Sequence, residues 1–314
     1  MTDQTNQPDN SNGLPRIGAH VSAAGGIHKA VERAAAIGGN CVQVFTASPR
    51  SWRRPEIEKV ASKEIIEKEI KKAQKEYDIF PIVTHTMYLV NLASPKKEQL
   101  EKSRQVLEFD LEFDARVGGS GVVVHLGSHL GAGWEATKEG VVEQIQKILS
   151  ASSGESTLLI ENSAGQNGKL CSDLSEIRWV LDQINSPRLG WCVDTCHAYA
   201  AGYGVGETQP IFTEERTAAA KPENIRNQTL LAAITENNLW SELKVVHVNG
   251  SRDPFASGRD RHANIGEGEL LNSDMAYFLN DKRVMTKPMI LEVPGLDGNG
   301  PDSHNVELVK AFFK

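Results

Sequence analysis

From residue 16 onward, short apolar or β-branched runs alternate with stretches of helical periodicity, and the alternation recurs eight times. The runs fall at residues 17–20, 41–45, 80–85, 122–126, 157–162, 189–194, 243–249 and 288–293. Between them, Ile27, Val31, Ala34 and Ile37 share one helical face before Gly38-Gly39, and Leu100, Leu107, Leu111 and Ala115 do so before Gly118-Gly119. Val141, Ile145, Ile148 and Leu149 mark a further helix, and Ser94-Pro95 predicts an N-cap and first-turn proline for the second. Alternating strands and helices imply a parallel sheet with helical crossovers, and eight units predict a closed α/β barrel, (β/α)8, in one domain spanning residues 16–314. A doubly wound open sheet is the rival. It lacks support because Val21-Ser22-Ala23-Ala24-Gly25-Gly26 follows the first run where a Gly-x-Gly-x-x-Gly turn would stand.

Composition narrows the class further. A chain of 314 residues with 39% hydrophobic residues suits one such barrel. Residues 1–15 are mostly polar and are expected to form a disordered tail, neither signal nor transit peptide. No run approaches the roughly 18 apolar residues of a membrane span, so a soluble, cytoplasmic protein without membrane contact is expected. Cys41, Cys171, Cys192 and Cys196 form no paired zinc pattern and are too few for a disulfide scaffold, so they are expected to be reduced. A net charge of −7 argues against a generic nucleic-acid binder. Bound divalent ions would reverse the local sign of a carboxylate-lined site, so a phosphate substrate stays compatible with an acidic chain.

In a barrel the catalytic face is built from the carboxyl ends of the strands. His85, His125, Glu161, Asp194, His247 and Glu292 stand there, with His197 three residues after Asp194 and Asp260-Arg261-His262 on a further loop. Any one of these reads most simply as a hydrogen-bonded residue near the core. Jointly they point to a polynuclear metal site, and imidazoles with carboxylates but no thiolates suit zinc, manganese or iron in an open catalytic centre. His28 and His304 lie away from strand ends and are left out. After the second run, Arg50, Arg53 and Arg54 surround Trp52, and Tyr88-Leu89 follow His85. On the metal-bearing face these loops could clamp a phosphate backbone or enter a base stack; the plainer reading is a solvated basic loop around one packed tryptophan. Lys68, Lys71, Lys72 and Lys75, interleaved with Glu64, Glu67 and Glu69, read as the outer face of a helix.

Three motifs now carry a family resemblance: His85-Thr-Met-Tyr-Leu-Val-Asn-Leu-Ala93, Cys192-Val-Asp-Thr-Cys-His197, and His247-Val-Asn249 followed by Asp260-Arg-His262. With Ile17-Gly18-Ala19-His20-Val21-Ser22, His125-Leu-Gly-Ser-His-Leu130, Ile160-Glu-Asn162 and Gly266-Glu-Gly268 in support, the chain resembles the endonuclease IV family of apurinic/apyrimidinic endonucleases. The resemblance implies a TIM barrel with three zinc ions at the carboxyl face, manganese being allowed in part of the site. It implies a monomer that needs no nucleotide cofactor, acts on damaged double-stranded DNA, cuts 5′ to abasic sites to leave a 3′-hydroxyl, and trims blocked 3′ ends. Residue by residue, His85, His125 and Glu161 would hold one ion, Glu161 bridging to a second held by Asp194, His247 and Glu292. His197, Asp260 and His262 would hold the third. Glu161 and Glu292 would be the catalytic carboxylates, and Arg50, Tyr88 and Leu89 would enter the DNA.

Three positions depart from the family pattern. Gly250 stands where an acidic residue is usual, which predicts a missing supporting contact of a kind that typically changes metal affinity or activity roughly 10–100-fold. Leu126 replaces a proline and Trp191 a smaller residue, and residues 205–224 match poorly. Two rivals remain. A metal-dependent sugar isomerase or epimerase draws on similar residues but has no use for the Arg50–Trp52 loop or for Asp260 and His262, and would act on free sugars. A binding-only protein would hold abasic DNA without cutting it.

Overall fold

The computed structural model describes residues 14–152, 154–208 and 224–313. The expected tail, residues 1–15, therefore lies outside the described residues except for its last two, and so does most of the segment 205–224.

The eight expected strands form, as β1 (Ile17–His20), β2 (Val42–Phe45), β3 (Ile82–His85), β4 (Val122–Val124), β5 (Leu158–Glu161), β6 (Leu189–Asp194), β7 (Leu243–His247) and, last in the barrel, Met289–Leu291. Two short strands not foreseen, β8 (Gly250–Ser251) and β9 (His262–Ala263), form an antiparallel pair, which makes the last barrel strand β10. The barrel is closed and parallel in the order β1-β10-β7-β6-β5-β4-β3-β2. Crossovers include α1 (Ile27–Ala36), α2 (Ile57–Ala61), then α3 (Lys63–Ile65) leading through a π turn (Ile66–Ile70) into α4 (Lys71–Tyr77). They continue with α5 (Lys97–Val117), α6 (Trp134–Ala151), α7 (Leu174–Ile184), α8 (Thr195–Ala200), α9 (Leu230–Glu236), α10 (Asn272–Leu279) and α11 (Ser303–Ala311). No helix among the described residues is long and apolar enough to cross a membrane.

Side chains on a strand alternate between its two faces, so each barrel strand sends every second residue inward. One inward layer is the buried cluster Cys41, Val83, Val123, Leu159, Cys192, Val245 and Ile290. Gly18 completes it from β1, because a Cβ there would come within 1.8 Å of the Cys41 carbonyl oxygen. Two residues further along the same chains lie His20, Gln43, His85, His125, Glu161, Asp194, His247 and Glu292. An apolar layer thus floors a polar one, and the polar layer lies at the carboxyl ends of the strands.

Several strands are shorter than their apolar runs because the end residues leave the ladder for side-chain partners. The Glu292 amide donates to Asn249 Oδ1 at 2.8 Å, and the Asn249 amide to Thr195 Oγ1 at 2.9 Å. The helical expectations hold in outline: α1 buries Ile27, Ala30, Val31 and Ala34, and α5 ends at Gly118 in the left-handed conformation. Ser94 does not cap α5, whose first residue is Lys97; its hydroxyl accepts from the Lys96 amide and donates to Gln99, so it shapes the preceding loop. Lys68 pairs with Glu64 and Lys71 with Glu67 on an exposed helical face, as the charge pattern predicts.

Candidate metal centre

Glu161 closes β5 at the centre of the polar layer, fully buried. Its Oε2 faces His85 Nε2 at 3.2 Å and His125 Nε2 at 3.3 Å. Its Oε1 faces His247 Nδ1 at 3.1 Å and His197 Nδ1 at 3.2 Å. Asp194, the last residue of β6, caps α8 by accepting the His197 amide at 2.7 Å, which explains why a carboxylate and an imidazole three residues apart serve one pocket. Glu292 Oε2 lies 3.3 Å from His247 Nδ1. The antiparallel pair β8–β9 swings the next loop back over the barrel mouth, bringing His262 Nε2 to 3.7 Å from Asp194 Oδ2 and 3.5 Å from Asp260 Oδ1. His197 Nε2 meets Asp260 Oδ1 at 3.0 Å.

All nine residues expected at a metal site are thereby gathered into one pocket. Donor atoms group as His85, His125 and Glu161; as Glu161, Asp194, His247 and Glu292; and as Asp194, His197 and His262, each set within 4.8 Å. The third set has Asp194 where the sequence reading has Asp260. Asp260 Oδ1 stands beside that set, 3.0 Å from His197 Nε2 and 3.5 Å from His262 Nε2.

The imidazoles show how well this pocket suits cations. Nδ1 of His85 lies 2.7 Å from the Thr86 carbonyl, Nδ1 of His197 3.0 Å from that of Asn162, and Nε2 of His247 2.8 Å from Gln43 Oε1. In a neutral ring each contact takes the N–H on that nitrogen and leaves a lone pair on the other. In His85 and His247 that second nitrogen points at carboxylate oxygens, acceptor against acceptor, a repulsion that a cation between them removes. Nε2 of His262 and Nδ1 of His125 are buried without a hydrogen-bond partner among the described residues, and Nε2 of His197 has the Asp260 carboxylate oxygen beside it at 3.0 Å. Burial pushes His125 down to about 4, keeping it neutral.

Supporting residues went unassigned in the sequence. Asn162 Oδ1 accepts the Asp194 amide at 2.7 Å, and Asn249 Nδ2 donates to Asp194 Oδ2 at 2.6 Å. Gln43 Nε2 donates to Glu292 Oε1 at 2.6 Å, and His20 Nδ1 lies 3.2 Å from the same oxygen. Lys169, on the loop after β5, donates to Asp260 Oδ2 at 3.1 Å. For His20 and Gln43 the missed signal was register: both occupy the inward position that holds the other site residues on their strands.

The loops foreseen as DNA contacts stand at this mouth. Tyr88 lines the pocket beside Phe45 and His85, its ring 5.3 Å from that of Phe45, and is 62% exposed; Leu89 is also exposed. The Tyr88 amide donates to the Pro49 carbonyl at 3.3 Å, joining this loop to the one that carries exposed Arg50. Arg54 instead turns toward buried Asp110, and Trp52 packs on the core, so those two follow the plainer structural reading. His28 pairs with Glu69 away from the pocket. Gly250 belongs to the close β8–β9 pair: a Cβ there would lie 2.9 Å from the Ala263 carbonyl oxygen and 2.8 Å from that of Asn264. Its glycine serves close backbone approach, and an acidic side chain has no room. Trp191 is buried with its Nε1 donating to the Leu239 carbonyl at 2.7 Å, and Leu126 is buried in the core.

Comparison with known proteins agrees with this geometry. A family model described as a xylose isomerase-like TIM barrel matches residues 31–311. A probable endonuclease 4 of Halothermothrix orenii is 34% identical over 94% of this chain and 99% of its own length. One of Halorhodospira halophila is 35% identical over 94% of this chain and 92% of its own. The crystal structure of endonuclease IV from Thermus thermophilus superimposes with a TM-score of 0.77 at 32% identity, covering 95% of this chain and 99% of that one. On its sequence and its barrel alike, the chain belongs to the endonuclease IV family.

Proposed function

We propose that this chain is an apurinic/apyrimidinic endonuclease of DNA repair, hydrolysing the phosphodiester 5′ to an abasic nucleotide in duplex DNA to leave a 3′-hydroxyl, and trimming blocked 3′ ends. The observation that carries this reading is Glu161, one buried carboxylate set among four imidazoles, two on each oxygen. A carboxylate so placed suits the role of a bridge between two cations, and the endonuclease names of full-length relatives support the substrate class.

His85, His125 and Glu161 would hold one zinc ion; Glu161, Asp194, His247 and Glu292 a second; His197, Asp260 and His262 a third, manganese being acceptable in part of the site. Bound divalent ions would acidify water toward a pKa of about 7 and offset charge that builds on a phosphate. Glu161 and Glu292 would orient the attacking water, Glu292 being held for this by Gln43. Asn162 and Asn249 would keep Asp194 turned inward. In an acidic chain, cations at the pocket and Arg50 at its rim would supply the attraction for DNA phosphates. Exposed Tyr88 and Leu89 would enter the duplex beside the abasic nucleotide, a surface that a sugar isomerase has no use for. The protein would act as a monomer without a nucleotide cofactor.

The test is a duplex carrying one tetrahydrofuran abasic analogue, incubated with zinc-loaded protein with and without chelator and resolved on a denaturing gel. The expected result is a single chelator-sensitive cut 5′ to the analogue, which cannot undergo β-elimination. Binding without cleavage at full metal occupancy would favour the binding-only reading instead.

A further inference from the structure

Asp260 divides its two oxygens. Oδ1 faces His197 Nε2 at 3.0 Å and His262 Nε2 at 3.5 Å, while Oδ2 accepts from Lys169 Nζ at 3.1 Å. Lys169 is held in place by its backbone: it forms an isolated antiparallel bridge with Ser128, its amide donates to the Gln166 carbonyl at 3.0 Å, and the next amide, of Leu170, donates to the Gly127 carbonyl at 3.0 Å. Its side chain is only 28% exposed. The same loop grips Asp260 a second time, Gln166 Oε1 accepting the Asp260 amide at 3.0 Å. The other site carboxylates differ: among the described residues no lysine or arginine pairs with Glu161, Asp194 or Glu292, whose ion-pair partners are all histidines.

We propose that Lys169 is a resident competitor for the third cation: it takes up part of the charge of Asp260 and so makes the subsite of His197, Asp260 and His262 the weakest of the three, the last filled and the first to exchange. The inference rests on the three-subsite reading above. Two effects of Lys169 on a divalent ion oppose each other. Its hydrogen bond orients Asp260 with Oδ1 toward the imidazoles, which favours binding; its charge, sharing one carboxylate with a dication in a pocket partly closed to solvent, opposes binding. The charge effect dominates, because the Gln166 contact already fixes the Asp260 backbone and little ordering is left for Lys169 to supply. Lys169 is accordingly a positioning residue whose electrostatic effect outweighs its geometric one.

The full-length protein, stripped of metal, is titrated with zinc against a chromophoric chelator, with elemental analysis of the saturated form, for the natural chain and for Lys169→Met and Lys169→Arg. The expected result is two tight ions and one weaker ion in the natural chain, with the third tightened by about tenfold or more in Lys169→Met and left weak in Lys169→Arg. A third affinity that is unchanged or weakened in Lys169→Met overturns the proposal, since it would make the hydrogen bond the dominant effect. Saturation at fewer than three ions in every variant overturns the three-subsite reading itself. Should Lys169→Met fail to melt cooperatively, Lys169→Gln, which keeps a donor without the charge, gives the same comparison.

Discussion

Gln43 Oε1 accepts from His247 Nε2 at 2.8 Å, so in the neutral, ligand-ready ring the nitrogen that His247 presents to Glu161, Nδ1, is the one without a proton. The amide nitrogen of the same Gln43 donates to Glu292 Oε1 at 2.6 Å, which leaves Glu292 Oε2 facing His247 at 3.3 Å. One neutral side chain therefore sets the tautomer of one proposed ligand and the rotation of another. Gln43→Ala should weaken zinc binding at the Glu161, Asp194, His247 and Glu292 subsite by roughly 10–100-fold. Competition with a chromophoric chelator measures this, and an unaltered affinity would mean that the carboxylates alone orient His247.

Glu161→Gln should abolish cleavage while preserving the fold. The substitution keeps shape and one acceptor oxygen but removes the negative charge shared by four imidazoles, so both adjoining subsites lose a ligand. The expected loss of rate is about 10³-fold or more, comparable with removing a main electrostatic stabiliser. Cleavage of the tetrahydrofuran duplex gives the rate, and circular dichroism checks the fold. A rate within tenfold of the natural chain would remove Glu161 from the bridging role.

How far this centre could be read from residues alone depended on where each signal lay. The eight strands announced themselves because buried parallel strands are continuous apolar runs, and the ends of those runs exposed His85, His125, Glu161, Asp194, His247 and Glu292. Asp260 and His262 could be read as loop candidates but not positioned, since the β8–β9 pair that folds them over the mouth is two residues per strand and carries no periodic pattern. Gln43 and Lys169 were invisible for different reasons. Glutamine in a strand has no chemical signature until its register is known, and the contact of Lys169 with Asp260 spans ninety-one residues of sequence. Gly250, read in the sequence as a lost contact, is also a point of close backbone approach, which shows only once β8 and β9 are paired.

The two loops joined by the Tyr88 amide and the Pro49 carbonyl predict a separation of recognition from metal binding. Arg50 and Tyr88 contribute no atom to any of the three donor groups. Arg50→Ala combined with Tyr88→Ala should reduce the preference for abasic over intact duplex while zinc content stays at the natural level. Binding titrations on paired duplexes, alongside elemental analysis, decide it; an unchanged preference would assign these loops another task.

Beneath the loops, α5 carries Asp114, a fully buried carboxyl accepting from Thr84 Oγ1 at 2.9 Å and Ser156 Oγ at 2.6 Å. Burial outweighs those bonds and raises its pKa from the ordinary 3.8 to about 6. A carboxyl whose folded pKa lies above its unfolded one holds its proton longer in the folded state. Its contribution to stability is therefore full below about pH 4 and is lost as pH rises toward 6, by roughly 3 kcal/mol at most for a shift of about two units. Asp114→Asn keeps an acceptor for Thr84 and offers an amide to Ser156 but carries no titrating group. It should lose that part of the pH dependence: unfolding free energy relative to the natural chain should improve steadily from pH 4 to pH 7, most of the change falling before pH 6.5. Denaturant titrations at half-unit intervals measure the difference directly, and parallel profiles for the two proteins would show that Asp114 is ionised in the fold at little cost.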